Sequence, residues 1–175
     1  LDPKYPYGKQ TKTRGGMWYT PVSGIWQTVW AEAVPESYIE KIKITTDDVS
    51  AKIEVTAEGE KTLTLESGET YTFTENEITI TPENPQKWSP ESPFVYNFSL
   101  KCGDDEIKSY FALRKIEAKV INGVPRLCLN GEPYVFTGLL DQGYFPDGIF
   151  LPATSEGYEY DILRCKEMGF NMIRK

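Results

Sequence analysis

Between residues 51 and 57 every second side chain is apolar. Ala51, Ile53, Val55 and Ala57 fall on one side of an extended backbone; Lys52, Glu54 and Thr56 fall on the other. Successive side chains of a strand point to opposite faces, so this alternation specifies a strand with one face buried and one in water. KTLTLESGETYTFT repeats the grammar: Leu63 and Leu65, a turn at Ser67-Gly68, then Tyr71 and Phe73. EITIT, FVYNFSLKC and EIKSYFALRKIEAKV continue it, separated by turns that carry Pro, Asn or Gly. About seven short strands at this spacing over residues 38–117 predict an antiparallel sandwich.

The flanks follow other rules. Residues 1–20 have no period and read as loop. GIWQTVWAEAV (24–34) reads as a β-rich strand ended by Pro35, with Trp26 and Trp30 on one face. After about residue 118 the pattern changes. Asn130-Gly131 between two apolar stretches predicts a hairpin. YVFTGLL predicts an apolar strand, DQGYFPDGIFLPA a loop, and TSEGYEYDILRCKEMG a helix. Thr154 or Ser155 would cap that helix, and Glu156 suits its positive end. Tyr158, Ile162, Cys165 and Met168 share one helical face, and Gly169 marks the stop. FNMIRK is the next strand. Strand, loop, helix and strand make a βαβ unit, which is too small to form a core alone. A buried strand needs neighbours, so a chain ending on one is expected to be a piece of a longer protein.

Hydrophobic residues make up 39% of the chain and aromatic residues 13%, enough for a packed core. A net charge of -7 argues against a nucleic-acid partner, which wants a basic face. No apolar run reaches the length of a membrane span. The chain has no histidine, which removes Ser-His-Asp and Cys-His chemistry and the commonest metal ligand from these residues. Cys102, Cys128 and Cys165 are odd in number and widely spaced, so they read as small buried hydrophobes rather than a zinc site or disulfide framework. No metal or cofactor is expected.

Other chemistry-bearing residues read blandly. Asp141 and Asp147 share a loop with no scaffold to fix the separation that a catalytic pair of carboxylates needs. Asp104-Asp105-Glu106 and Asp47-Asp48 read as solvated turn tips. Asn97-Phe98-Ser99 fits a glycosylation sequon inside a strand and reads as incidental. Trp18, Trp26, Trp30 and Trp88 read as packing residues rather than a sugar platform.

Five linked segments resemble glycoside hydrolase family 2, the β-galactosidase, β-glucuronidase and β-mannosidase group. GGMWYTPVSGIWQTVWAEAVPESYIEKIKITTD resembles the end of the family's jelly-roll sugar-binding domain and the passage out of it. WSPESPFVYNFSL (88–100) and FALRKIEAK (111–119) resemble two strands of its immunoglobulin-like domain, with Ala112 where glycine is usual. LCLNGEPYVFTGLLDQGYFPDG resembles the entry to its catalytic TIM barrel, and DILRCKEMGFNMIRK resembles barrel helix one running into strand two.

The resemblance implies a mainly β chain in three parts. Residues 1–37 would be the tail of the jelly roll, 38–117 an immunoglobulin-like sandwich serving as spacer, and 118–175 the first βαβ of the barrel. It also implies a retaining hydrolase of terminal β-linked sugars, β-galactosides first, with two catalytic glutamates. Both would lie beyond Lys175, so the chain alone is expected to be inactive. Arg174 matches the arginine that braces the nucleophile in the family's N-x-x-R segment. Asp141 and Gln142 would face the pocket, and Tyr144 and Phe145 are candidates for stacking on sugar, for which simple packing is the better reading. A periplasmic or secreted parent suits polysaccharide degradation. The competing reading is a non-catalytic sandwich for carbohydrate binding or adhesion, or an interaction protein whose last strand pairs with a partner. An exposed strand edge also predicts self-association of the truncated chain.

Overall fold

Strict alternation from Ala51 onward becomes a run of short antiparallel strands. The computed structural model describes Lys4, Gln10, Thr13, residues 19–25 and residues 27–175. The chain divides into two units: residues 32–135, and residues 1–31 with 136–175.

The first unit opens with β1 (Lys41–Thr46), β2 (Ala51–Thr56), β3 (Lys61–Leu65), β4 (Thr70–Phe73), β5 (Glu77–Ile80), β6 (Tyr96–Cys102) and β7 (Asp105–Phe111). They form two antiparallel sheets, ordered β1-β2-β5 and β4-β3-β6-β7. Register places Ile53 opposite Ile78 in one sheet and Leu63 opposite Leu100 in the other. Each sheet therefore has one apolar face. Ala51, Ile53, Val55 and Ile80 of the first join Leu63, Leu65, Phe98, Leu100 and Phe111 of the second in a single core. This is the predicted sandwich. At one end Tyr96 stacks on Phe111 with centroids 5.0 Å apart, and Phe94 meets Tyr96 edge-on at 4.9 Å.

Lys61 breaks the binary pattern. It occupies a core-facing position of β3 and is only 1% exposed. Its ammonium donates to the carbonyls of Gly59 (2.9 Å) and Thr74 (3.0 Å) and stands 5.8 Å from the Phe73 ring centroid. The charge is thus met by backbone oxygens and an aromatic face. Lys61→Met keeps most of the apolar stem and removes the cation. We expect it to destabilise the chain by about 1–3 kcal/mol, the range for losing charged hydrogen bonds at a buried group. Urea unfolding checks this, and a variant as stable as the parent would refute it.

Two acidic tips do more than face solvent. Asp47 Oδ1 accepts from the Val49 and Ser50 amides at 2.8 and 2.6 Å, which closes the β1–β2 turn. These hydrogen bonds hold its carboxyl below the usual carboxylate range. Asp48 pairs with Lys87 at 2.7 Å. Asp105 and Glu106 belong to β7 rather than its preceding turn, and Asp105 Oδ2 accepts from the Ile39 amide at 2.8 Å.

EIKSYFALRKIEAKV is not one strand. It breaks after Phe111 and resumes as β8 (Ile116–Ile121), which pairs with β9 (Val124–Leu129); β9 pairs in turn with β10 (Glu132–Pro133). The β8–β9 turn is Asn122-Gly123, with φ of 52° and 78°; the predicted Asn130-Gly131 turn has 52° and 91°. Both fit the two-residue hairpin geometry that needs positive φ twice. Asn130 ties this hairpin to the sandwich: its Nδ2 donates to the Trp88 carbonyl at 3.0 Å, and its Oδ1 accepts from the Lys115 amide at 3.0 Å. Arg114 lies over the Trp88 ring at 4.7 Å, so Trp88 is a packing residue.

In the second unit β11 (Gly138–Leu140) runs parallel to β12 (Met172–Arg174), with α1 (Glu156–Glu167) between them in sequence. The βαβ unit is present, with corrections to its parts. YVFTGLL shrinks to three strand residues, since the Tyr134 amide already bonds to Leu127 in the hairpin. Ser155 caps α1 without a side-chain hydrogen bond. No residue of α1 is buried, and Ile162 and Met168 of the predicted apolar face are 55% and 62% exposed. Gly169 ends the helix at φ 85°, as predicted. The predicted strand at 24–34 does not form among the described residues: no other strand pairs with it, and Trp30 is 77% exposed rather than packed. Trp18 and Trp26 lie outside the described residues. Cys102 and Cys128 are buried as read, whereas Cys165 is only half-buried.

Candidate functional site

Parallel strands deliver their C-terminal ends to the same edge, and the sequence places Asp141 and Arg174 there. The pairing of Leu140 with Arg174 is extended one step by the Asp141 amide, which donates to the Arg174 carbonyl at 2.9 Å. Asp141 and Lys175 therefore leave the two strand ends side by side.

Both carboxylate oxygens of Asp141 are engaged. Oδ1 accepts from the Gly143 amide at 2.7 Å, and Oδ2 accepts from Lys175 Nζ at 2.5 Å. Gly143 sits at φ 72°, which a side-chain-free residue adopts without strain. The Lys175 ammonium, and after it the Gly143 amide, hold the Asp141 carboxyl below the usual carboxylate range against a partial burial that raises it. Asp141 is thus an oriented, ionised carboxylate at neutral pH. Asp147 is occupied elsewhere on the loop, where Oδ2 accepts from the Ala153 amide at 3.0 Å.

Aromatic rings surround this pair. Lys175 Nζ lies 5.8 Å from the centroids of both Phe145 and Tyr158, which meet edge-on at 5.3 Å. The loop is pinned beneath them by reciprocal backbone hydrogen bonds between Phe145 and Ile149 at 2.8 and 3.0 Å. Ile149 takes φ 63°, a conformation costly for a β-branched residue, and a Cβ at Gly148 would strike the Leu151 carbonyl. Tyr144 lies 6.0 Å from Tyr19 and 5.3 Å from Phe150, centroid to centroid. The Tyr19 hydroxyl donates to Gln142 Oε1 at 3.4 Å. Arg174 ends β12 exposed and forms no ion pair among the described residues.

Asp141, Gln142 and Tyr144 follow β11 and Arg174 ends β12; the side chain that meets Asp141 is that of Lys175, with Phe145 as a ring beside it. Sequence reasoning missed Lys175, Tyr158 and Phe150. Lys175 had a signal: once Leu140 pairs with Arg174, the next residues of the two strands must meet. The arrangement offers a fixed carboxylate, a guanidinium with no ion pair among the described residues and exposed ring surface, a set suited to hydroxyl-rich ligands. Among the described residues no group of His, Cys, Asp and Glu could hold a metal ion, and no helix is long and apolar enough to cross a membrane.

Residues 31–114 match the profile of glycosyl hydrolases family 2. A β-galactosidase of Pseudoalteromonas haloplanktis is 29% identical over 102 residues, 55% of this chain and 9% of that protein. A β-galactosidase of Thermoanaerobacter pseudethanolicus is 31% identical over 98 residues, 54% of this chain and 13% of that protein. The solved β-glucuronidase of Faecalibacterium prausnitzii superposes with a TM-score of 0.65 at 26% identity, covering 80% of this chain and 24% of that one. The chain spans about a tenth of these curated relatives and about a quarter of the solved one.

Proposed function

We propose, on the premise that residues 31–114 are a segment of glycosyl hydrolases family 2, that the whole protein is a retaining hydrolase of terminal β-linked sugars, β-galactosides first. The observation that carries the reading is the parallel β11–β12 pair following the family's sandwich, with Arg174 at its C-terminal edge. Active sites of (β/α)₈ barrels are built at that edge. On this reading 1–37 is the tail of a jelly roll, 38–117 a spacer sandwich and 118–175 the opening of the barrel.

Retention needs two carboxyl groups. One forms a glycosyl-enzyme intermediate; the other first protonates the departing oxygen and then activates water. Both would come from barrel strands outside this chain. The work of these residues is support. Arg174 presents a guanidinium fork that orients the nucleophile and keeps it ionised. Asp141 and Gln142 accept and donate hydrogen bonds to the sugar, and Tyr144 offers a face to its C–H groups. The β-galactoside preference rests on the two curated relatives, both β-galactosidases.

The test pairs the 175-residue chain with the protein encoded by its complete reading frame, each assayed on an aryl β-galactoside. The full-length protein should hydrolyse it with retention, and the chain alone should not. Turnover by the chain, or a frame that adds no barrel strands bearing glutamates, would overturn the proposal.

A further inference from the structure

Strands β11 and β12 are three residues long, and one of their three pairs holds a glycine. Short, Gly-bearing strands specify their register weakly, so something beside the ladder must fix it. We infer that Asn171 is a positioning residue for Arg174: it locks β12 against β11 in the one register that sends the guanidinium to the correct face. The inference rests on the hydrolase reading and adds to it a residue that acts through Arg174 rather than on the sugar.

Asn171 grips the residue before β11 twice. Its backbone amide donates to the Thr137 carbonyl at 2.9 Å, and its side-chain Oδ1 accepts from the Thr137 amide at 2.8 Å. Both backbone polar groups of Thr137 are thus held by one partner, directly before the Gly138–Met172 pair. That pair adds a steric key. A Cβ at Gly138 would strike the Met172 carbonyl oxygen and stand 2.9 Å from the Met172 Cβ, so only a residue without a side chain fits there. A slip of one residue would set Thr137 or Leu139 opposite Met172 and take the Thr137 amide from its acceptor. It would also turn every β12 side chain to the other face. Lys175 lies 5.8 Å from the ring centroid of Tyr158 on α1, so its side of β12 faces the helix. Alternation puts Arg174 on the opposite side, which in a (β/α)₈ barrel is the interior. A slipped strand would present Ile173 or Lys175 there, and neither carries a planar fork.

The experiment measures hydrolysis of an aryl β-galactoside by the full-length protein carrying Asn171→Ala, Arg174→Met or both. Asn171→Ala should lower kcat about 10- to 100-fold, the scale for a small misplacement of a group at the reacting centre. In the Arg174→Met background the same change should cost less than about threefold, because the side chain it positions is already gone. The acidic limb of kcat/KM should move to higher pH in Asn171→Ala, as in Arg174→Met, since the nucleophile loses its neighbouring cation. Asn171→Asp keeps an acceptor for the Thr137 amide and should restore most of the rate. Equal losses in the two backgrounds, or an unmoved limb, describe an asparagine that only stabilises the fold; either overturns the inference and leaves the hydrolase reading intact. If Asn171→Ala does not fold, Asn171→Asp decides, and a rate as low as that of Arg174→Met counts against the inference. A parent that does not hydrolyse the galactoside fails the hydrolase reading and this inference together.

Discussion

Leu100→Ala should cost the chain about 2–5 kcal/mol, the range for truncating a fully buried leucine. Leu100 has no exposed surface and lies in the middle of β6, a central strand of the four-stranded sheet. It pairs with Leu63 on β3 and with Ile107 on β7, and it belongs to the core shared by both sheets. Removing its branched end leaves a cavity that two hydrogen-bonded neighbours prevent from collapsing, so the transfer and cavity terms both count. Tyr110→Ala is the control. Tyr110 is 63% exposed on β7, and its truncation should shift stability by no more than about 0.5 kcal/mol. In urea unfolding the Leu100 variant should show a lower midpoint with an unchanged slope. A loss under about 1 kcal/mol would mean that the two sheets are not packed as described.

The legibility of the sandwich has the same physical origin as this sensitivity. One-sided burial forces a period of two, and the period survives in the sequence wherever a sheet has one wet face. Ile53, Val55, Leu63 and Leu65 were therefore readable as core. Lys61 was not, because a binary pattern assigns every lysine to water. Its burial comes from the carbonyls of Gly59 and Thr74 meeting at one end of the sandwich, which depends on how distant turns come together. The break between β7 and β8 was hidden for a related reason: apolar alternation runs through it, and the Asn122-Gly123 turn that reverses the chain lies beyond. At residues 24–34 β-rich composition suggested a strand, yet composition supplies no pairing partner. Ile25 and Val29 are 83% and 75% exposed there. At the candidate site Asp141 and Arg174 were legible as strand ends, but the ion pair with Lys175 required the parallel register.

On the proposed hydrolase reading, Arg174→Met should lower kcat of the full-length protein roughly 100- to 1,000-fold, the scale for losing a preorganised group that stabilises charge at the reacting centre. KM should change little, because on that reading the guanidinium would act on the nucleophile rather than on bound sugar. The fold should survive. What β11 uses is the Arg174 backbone carbonyl, which accepts from Asp141 at 2.9 Å whatever the side chain, and the side chain forms no ion pair among the described residues. Arg174→Lys should recover only part of the rate, since an ammonium keeps the charge but loses the planar fork that orients a carboxylate through two bonds. A merely structural arginine could also depress the rate, so the pH profile is the deciding measurement. A neighbouring cation lowers a carboxylate's pKa; removing it raises that pKa. The acidic limb of kcat/KM should therefore move to higher pH in Arg174→Met and by less in Arg174→Lys. An unmoved limb would show that Arg174 does not act on the nucleophile, even if the rate falls.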